Sequence, residues 1–250
     1  MNGGDWSEFT EEAFRNLLRQ LKVCGYAFAR YGEIRNDRHV LWRHDVDFSL
    51  HRSARLAAIE AEEGALATYF VNPHCTFYNL AEPAVVRRLE IIAGLGHEIG
   101  LHFDAEAFPT TDWSHADLER AVERESRLLE LITGRVPNAM SWHNPELAKL
   151  LRFDADTIGG LVNAYGATLR ARYAYASDSN GYWRFKPMAE VIAEGHDRLQ
   201  LLTHPAWWTP KPLAPSERID RCIRGRAAAV RAEYDALLAS GGRMNIGAAS

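Results

Sequence analysis

At 250 residues the chain has the length of one large domain, close to the roughly 250 residues of a single α/β barrel, and its 47% hydrophobic, 25% charged and 10% aromatic content excludes a disordered or fibrous protein. A net charge of −4 argues against a general binder of nucleic acid or of anionic membranes, and no apolar run reaches the ~18 residues that a membrane span requires. Three scattered cysteines (Cys24, Cys75, Cys222) without a CxxC suit a reducing compartment, and a polar, acidic start without a signal-peptide pattern completes the expectation of one cytoplasmic domain over 1–250.

Apolar residues at helical spacing (Phe14, Leu17, Leu18, Leu21) predict an amphipathic helix over 10–23 that closes near Gly25. HVLWR, His39 to Arg43, reads as a short strand, and the Ala- and Glu-rich 52–63 as a helix stopped by Gly64. ATYFV (67–71) reads as a strand, Pro83 opens a helix to Ala93, and Glu98 to Leu101 is a strand. Ser114 caps a long helix that Gly134 ends at Thr133. Ala139 to Trp142 is a strand, and a short helix is expected from Glu146. The glycine-containing stretch 155–171 fits no template well. Strands follow at 173–176 and 199–202, then a Pro-rich loop over 209–215 and a last helix over about 216–238. Strands alternating with helices imply βαβ units and a parallel sheet. With neither GxGxxG nor GxxxxGK[ST], a barrel is favoured over a nucleotide-binding sheet.

Position is the informative feature of the polar residues. The strands run apolar and then end in His44-Asp45-Val46-Asp47, in Asn72-Pro73-His74, in His102, in His143, in Asp178 and in His204. The carboxyl ends of parallel barrel strands converge on one face, where active sites sit. Asp45 and Asp47, two apart in extended chain, project to the same side. Their mutual repulsion would be relieved by a divalent cation, one carboxylate ligating it and the other acting as base. His97 and His102, five apart, point to opposite faces, so His102 is the ligand and His97 structural. His44 is expected to be packed, and His74 to serve a loop. His39, His51, His115 and His196 are expected at the surface. The arginines of the last helix read as a solvated face, and the cysteines as unreactive.

These motifs resemble a known family. RHDVD (43–47), GHEIGLH (96–102), SWHNP (141–145), Asp178-Ser179 with Trp183, and LLTHP (201–205) occur in the order of the polysaccharide deacetylases, carbohydrate esterase family 4. The pairing of RHDVD with HEIGLHFD further resembles a branch associated with bacterial O-antigen and surface-polysaccharide biosynthesis. The similarity covers residues 39 to 208. It implies a distorted (β/α) barrel of about seven parallel strands, holding a metal-dependent hydrolase that removes an N-acetyl group from a sugar or glycan precursor. By position it makes Asp45 the base, Asp47 and His102 metal ligands, and His204 the general acid.

Three departures stand out. Val46 separates the two aspartates, which are usually adjacent. Glu106 stands where the family has its second metal histidine, so the third ligand is His143, Glu106 or Asp104, with His143 best placed. The third motif, Trp142 to Pro145, lacks the usual arginine. A catalytic zinc normally has three protein ligands and an open position; Ni²⁺, Co²⁺ and Mn²⁺ suit the same donors. Asp178 would orient His204, and Trp142, Trp183 and Trp207 would offer flat faces to a sugar ring. Two other readings stay open: hydrolysis of a C–N bond in a non-sugar small molecule on the same fold, and a catalytically inactive glycan-binding homologue.

Overall fold

The computed structural model describes residues 6–33, 35–147 and 149–247. In chain order the elements are α1 (Glu11–Val23), β1 (Ala27–Ala29), β2 (His39–Val46), α2 (Leu50–Glu62), β3 (Thr68–Val71), α3 (Pro83–Gly94), β4 (Glu98–Phe103), α4 (His115–Thr133), β5 (Ala139–Trp142), β6 (Thr157–Ile158), β7 (Leu161–Asn163), α5 (Ala167–Arg172), β8 (Ala174–Ser177), α6 (Met188–Ala193), β9 (Arg198–Thr203) and α7 (Pro215–Ser240). Three helices start on hydroxyl caps: Thr10 accepts from the Ala13 N–H, Ser49 from Arg52 and Ser114 from Asp117, each satisfying a donor the first turn leaves open. Gly134 ends α4 at φ 68°, a left-handed stop that suits glycine.

The strands form one α/β sheet in the order β6-β7-β5-β4-β3-β2-β9-β8, with β1 added beside the first half of β2. Every pairing is parallel except the hairpin of β6 with β7. The sheet therefore curls as a distorted, open half-barrel; among the described residues no ladder joins β8 to β6. Among the described residues eight strands pair in parallel, in keeping with the expected barrel of about seven. The strands not expected are β1 and those of the stretch 155–171, which resolves into β6, β7 and part of α5. Segments of two to six residues carry too few side chains to show a period. No α-helix starts at Glu146; a single 3₁₀ turn, Leu150–Arg152, follows, and Ala148 lies outside the described residues. Residues 1–5 and 248–250 of the expected domain also lie outside them.

Strand parity sorts side chains into two layers. On β2, Val40, Trp42 and Val46 face the helices and join the large core with Phe14, Leu18 and Leu56. Leu41 faces the barrel interior with Tyr31, Phe70, Ala139 and Ala164. Gly100 lies between these interior residues, and a Cβ there would come within 2.6 Å of the Phe70 ring and 3.1 Å of the Ala139 carbonyl. Glycine at this point of GHEIGLH lets Phe70 floor the barrel.

Behind the sheet, fully buried Glu60 of α2 accepts from Trp42 Nε1 at 2.6 Å, Tyr69 OH at 2.6 Å and His44 Nε2 at 2.5 Å. The other His44 nitrogen meets Thr203 Oγ1 at 2.6 Å. This closed network gives His44 the packed role expected of it. Glu60→Ala would orphan three buried donors and is expected to cost roughly 3–5 kcal/mol, read as a lowered denaturant midpoint. A loss within experimental error would contradict the assignment.

His97 is structural as expected, its ring between the Ala67 N–H at 3.2 Å and the Ala57 carbonyl at 3.0 Å. His39, expected at the surface, is buried instead. It opens β2 and bonds Tyr173 OH at 2.7 Å and the Asp37 carbonyl at 2.8 Å. Among the described residues no helix is long and apolar enough to cross a membrane.

Candidate active site

Because the strands are parallel, their carboxyl ends share one rim, and each inward position lies one layer nearer the mouth than the residue two before it. On β2 the series runs Leu41, Arg43, Asp45 and, one residue past the strand, Asp47. On β4 it runs Gly100, His102, Asp104, and on β5 Ala139, Ser141, His143. The strand register pairs His102 with Ser141, so both enter the same layer. Above them opens a cavity of about 760 Å³ bordered by Asp45, Asp47, His102, His143 and His204.

At its base Asp47, His102 and His143 converge. Asp47 Oδ1 lies 3.2 Å from His102 Nε2 and 3.4 Å from His143 Nδ1, and those two nitrogens are 3.2 Å apart. Neither contact to Asp47 Oδ1 has hydrogen-bond geometry, so this buried oxygen has no donor. Ligands at about 2.0–2.2 Å around a tetrahedral Zn²⁺ are separated by about 3.3–3.6 Å, close to all three distances. One carboxylate and two imidazoles are a donor set that zinc and its neighbours accept. The residues present thus fit a divalent metal. Burial raises the Asp47 carboxyl, yet the imidazoles of His102 and His143 outweigh it and hold it well below the usual carboxylate range. Burial lowers His143, but its contact with Asp47 outweighs that and raises it. Asn144 turns the chain back at φ 44°, a left-handed conformation asparagine tolerates. Its amide meets the outer nitrogen of His143 at 3.0 Å.

Asp45 sits one layer deeper, 2% exposed. Its Oδ2 accepts from Arg43 Nη2 at 2.8 Å and its Oδ1 from Ser141 Oγ at 3.2 Å. Arg43 is fully buried, with its guanidinium over the rings of Tyr165 at 4.9 Å and Phe70 at 5.4 Å. The third motif brings no arginine, but β2 itself places this one beside Asp45.

On the other side, His204 Nε2 lies 3.7 Å from Asp47 Oδ2, and its Nδ1 meets Asp178 Oδ1 at 2.6 Å. Asp178 is fully buried and also accepts from the His204 backbone N–H and from Trp208 Nε1 at 2.8 Å. Burial lowers the His204 ring, but the charge and hydrogen bond of Asp178 outweigh it and push it up to about 9.

Other expected site residues lie apart from this cluster. Glu106 is exposed at the cavity rim and takes no part in the convergent triad. A 3₁₀ turn carries it outward, where Asp104 Oδ1 accepts its backbone N–H at 3.0 Å. Asp104 Oδ2 accepts from Asn72 at 3.1 Å. His74, in the loop after β3, bonds Glu125 at 2.7 Å.

Of the three tryptophans, Trp207 and Trp142 border the cavity, although Trp142 is 1% exposed and edge-on to Phe103. Trp183 does not border it. Its ring packs 4.8 Å from Phe9, and its Nε1 donates to Glu8 at 3.1 Å, so it pins the N-terminal turn. The exposed apolar faces at the mouth belong instead to Phe185, Leu147 and Tyr175. Sequence reasoning passed over these, as it did Ser141 and the role of Arg43. Strand parity was the available signal for Arg43, two residues before Asp45, and for Ser141, two before His143; the loop residues Phe185 and Leu147 carried none.

No protein-family model matches the chain, and no curated protein matches it. Among solved structures, several show a partial likeness to the chain. A pseudoenzyme of family CE4 from Bacillus anthracis is 15% identical at TM-score 0.44, over 78% of this chain and 63% of its own. The chain thus spans less than two thirds of that protein's length. The catalytic domain of a peptidoglycan N-acetylglucosamine deacetylase from Eubacterium rectale is 14% identical at TM-score 0.45, over 80% of this chain and 89% of its own. The Streptococcus pyogenes deacetylase PplD, in complex with acetate, is 14% identical at TM-score 0.42, over 85% and 86%.

Proposed function

We propose that the protein is a metal-dependent N-deacetylase, a hydrolase of family-4 carbohydrate-esterase type acting on an N-acetylated sugar or glycan precursor of bacterial surface-polysaccharide synthesis. The observation that carries this is the triad Asp47, His102 and His143 around one undonated carboxylate oxygen, with Asp45 and His204 facing the same cavity. Asp47, His102 and His143 would hold a divalent metal, Zn²⁺ or alternatively Ni²⁺, Co²⁺ or Mn²⁺, which would supply a water of lowered pKa, toward about 7, and Lewis-acid polarisation of an acyl oxygen.

The protein's own groups perform the rest. Asp45, clamped by Arg43 and Ser141, takes the proton of the attacking water at one carboxylate oxygen. His204, held by Asp178 with Nδ1–H donated to the carboxylate, presents Nε2–H toward the departing amine. Phe185, Leu147 and Tyr175 at the mouth supply apolar faces for the sugar. The test is acetate release from a panel of N-acetylhexosamines, free and nucleotide-linked, by zinc-loaded protein. Release from at least one member is expected; none from any member, with zinc bound, would overturn the reading and favour a C–N hydrolase of non-sugar substrates.

The His204–Asp178 pair also sets a pH limit. The acid form of His204 is present at neutral pH and is lost as pH rises through about 9, so activity should fall above that value. Asp178→Asn removes the charge that raises the ring and should move this alkaline limb down by about 1–3 pH units. A limb that stays in place in the pH–rate profile would contradict the role given to Asp178.

A further inference from the structure

We infer that Ser141 is a positioning residue that fixes the tautomer of His102 and ties that ligand to the base Asp45; this rests on the metal reading above. His102 Nδ1 lies 2.7 Å from Ser141 Oγ, and Ser141 Oγ donates to Asp45 Oδ1 at 3.2 Å. All three side chains are buried, Ser141 completely.

Hydrogen-bond chemistry permits one direction through this chain. The Asp45 carboxylate, in contact with Arg43, accepts only. Ser141 has a single hydroxyl proton, and giving it to Asp45 leaves its oxygen as an acceptor toward His102. His102 Nδ1 must then carry the proton. That leaves the lone pair of the neutral ring on Nε2, the atom 3.2 Å from both Asp47 Oδ1 and His143 Nδ1. Ser141 therefore selects the nitrogen that faces the cation site. Asp45 Oδ1 is held by this hydroxyl and Oδ2 by Arg43, which aims the carboxylate at the cavity. The arrangement is written into strand pairing: the register sets Ser141 opposite His102 on β5 and β4.

The test compares zinc affinity, by competition with a chelator, in wild type, Ser141→Ala and Ser141→Thr, and follows the His102 Nδ1–H by ¹⁵N NMR of the zinc-loaded protein. Loss of an outer hydrogen bond to a metal ligand typically weakens affinity about 10- to 100-fold. That loss is expected in Ser141→Ala, with a fast-exchanging Nδ1–H. Ser141→Thr, which keeps the hydroxyl, should recover most of the affinity and the slow exchange. Wild-type affinity in Ser141→Ala, or equal losses in both variants, would overturn the inference. If wild type itself binds no zinc, the metal reading falls and the inference with it. Should Ser141→Ala not fold, the wild-type resonance decides, and a His102 without a protected Nδ1–H overturns the assignment.

Discussion

Asp47→Ala should leave the protein without bound metal and without acetate release. Asp47 is the single anion of the convergent triad, and its Oδ1 meets both imidazole nitrogens at 3.2 and 3.4 Å. Removing it leaves two neutral donors, short of the three that hold a catalytic zinc. Since an outer-sphere partner alone is worth about 10- to 100-fold, loss of the ligand should weaken binding by more than about 100-fold. His143→Ala should behave in the same direction, whereas Glu106→Ala should retain metal, because Glu106 lies at the rim and not in the triad. Metal per chain after dialysis, by atomic emission, separates these outcomes. Metal loss in Glu106→Ala with retention in His143→Ala would move the third ligand from β5 to the loop after β4.

Asp45→Asn is expected to reduce kcat by about 10²–10⁴ while bound metal stays at the wild-type level, the range lost when a general base is removed. Asparagine is the informative replacement. Its amide oxygen still accepts from Arg43, whereas alanine would leave a fully buried guanidinium without its anion, a change costly to the fold itself. A variant that keeps metal and thermal stability yet retains near-wild-type kcat would remove Asp45 from the reaction. Paired with Asp47→Ala, it tells apart the two carboxylates that face one cavity two residues apart.

The sequence makes the rim legible because parallel strands end in the residues that matter. Alternation put Asp45 and Asp47 on one side and separated His102 from His97, and the structure sets the first three at the cavity and the last behind the sheet. The interior layers were harder to read. Arg43 and Ser141 sit inside short apolar runs, HVLWR and AMSW: alternation sets Arg43 on the side of Asp45, its partner on the same strand, whereas Ser141 gives no sign of its partners on β4 and β2. His39 looked like a surface residue because Tyr173, its partner, lies 134 positions away. Trp183 follows a strand end as a rim residue would, yet the chain turns at Asn180 and Gly181, both at positive φ, and its ring meets Phe9 instead. Loops whose direction depends on such turns carry no periodicity, so Phe185 at the mouth stayed invisible, while Tyr175 lay inside a short expected strand.

Metal dependence of acetate release is the most direct test of the central claim. The protein would be stripped with a chelator and titrated with Zn²⁺ while acetate release from an N-acetylated sugar that it hydrolyses is recorded. Activity absent from the stripped protein, rising with bound zinc and levelling at one equivalent per chain, is the expected result. Acetate release that survives complete removal of metal, or zinc binding at one equivalent that restores none, would contradict it.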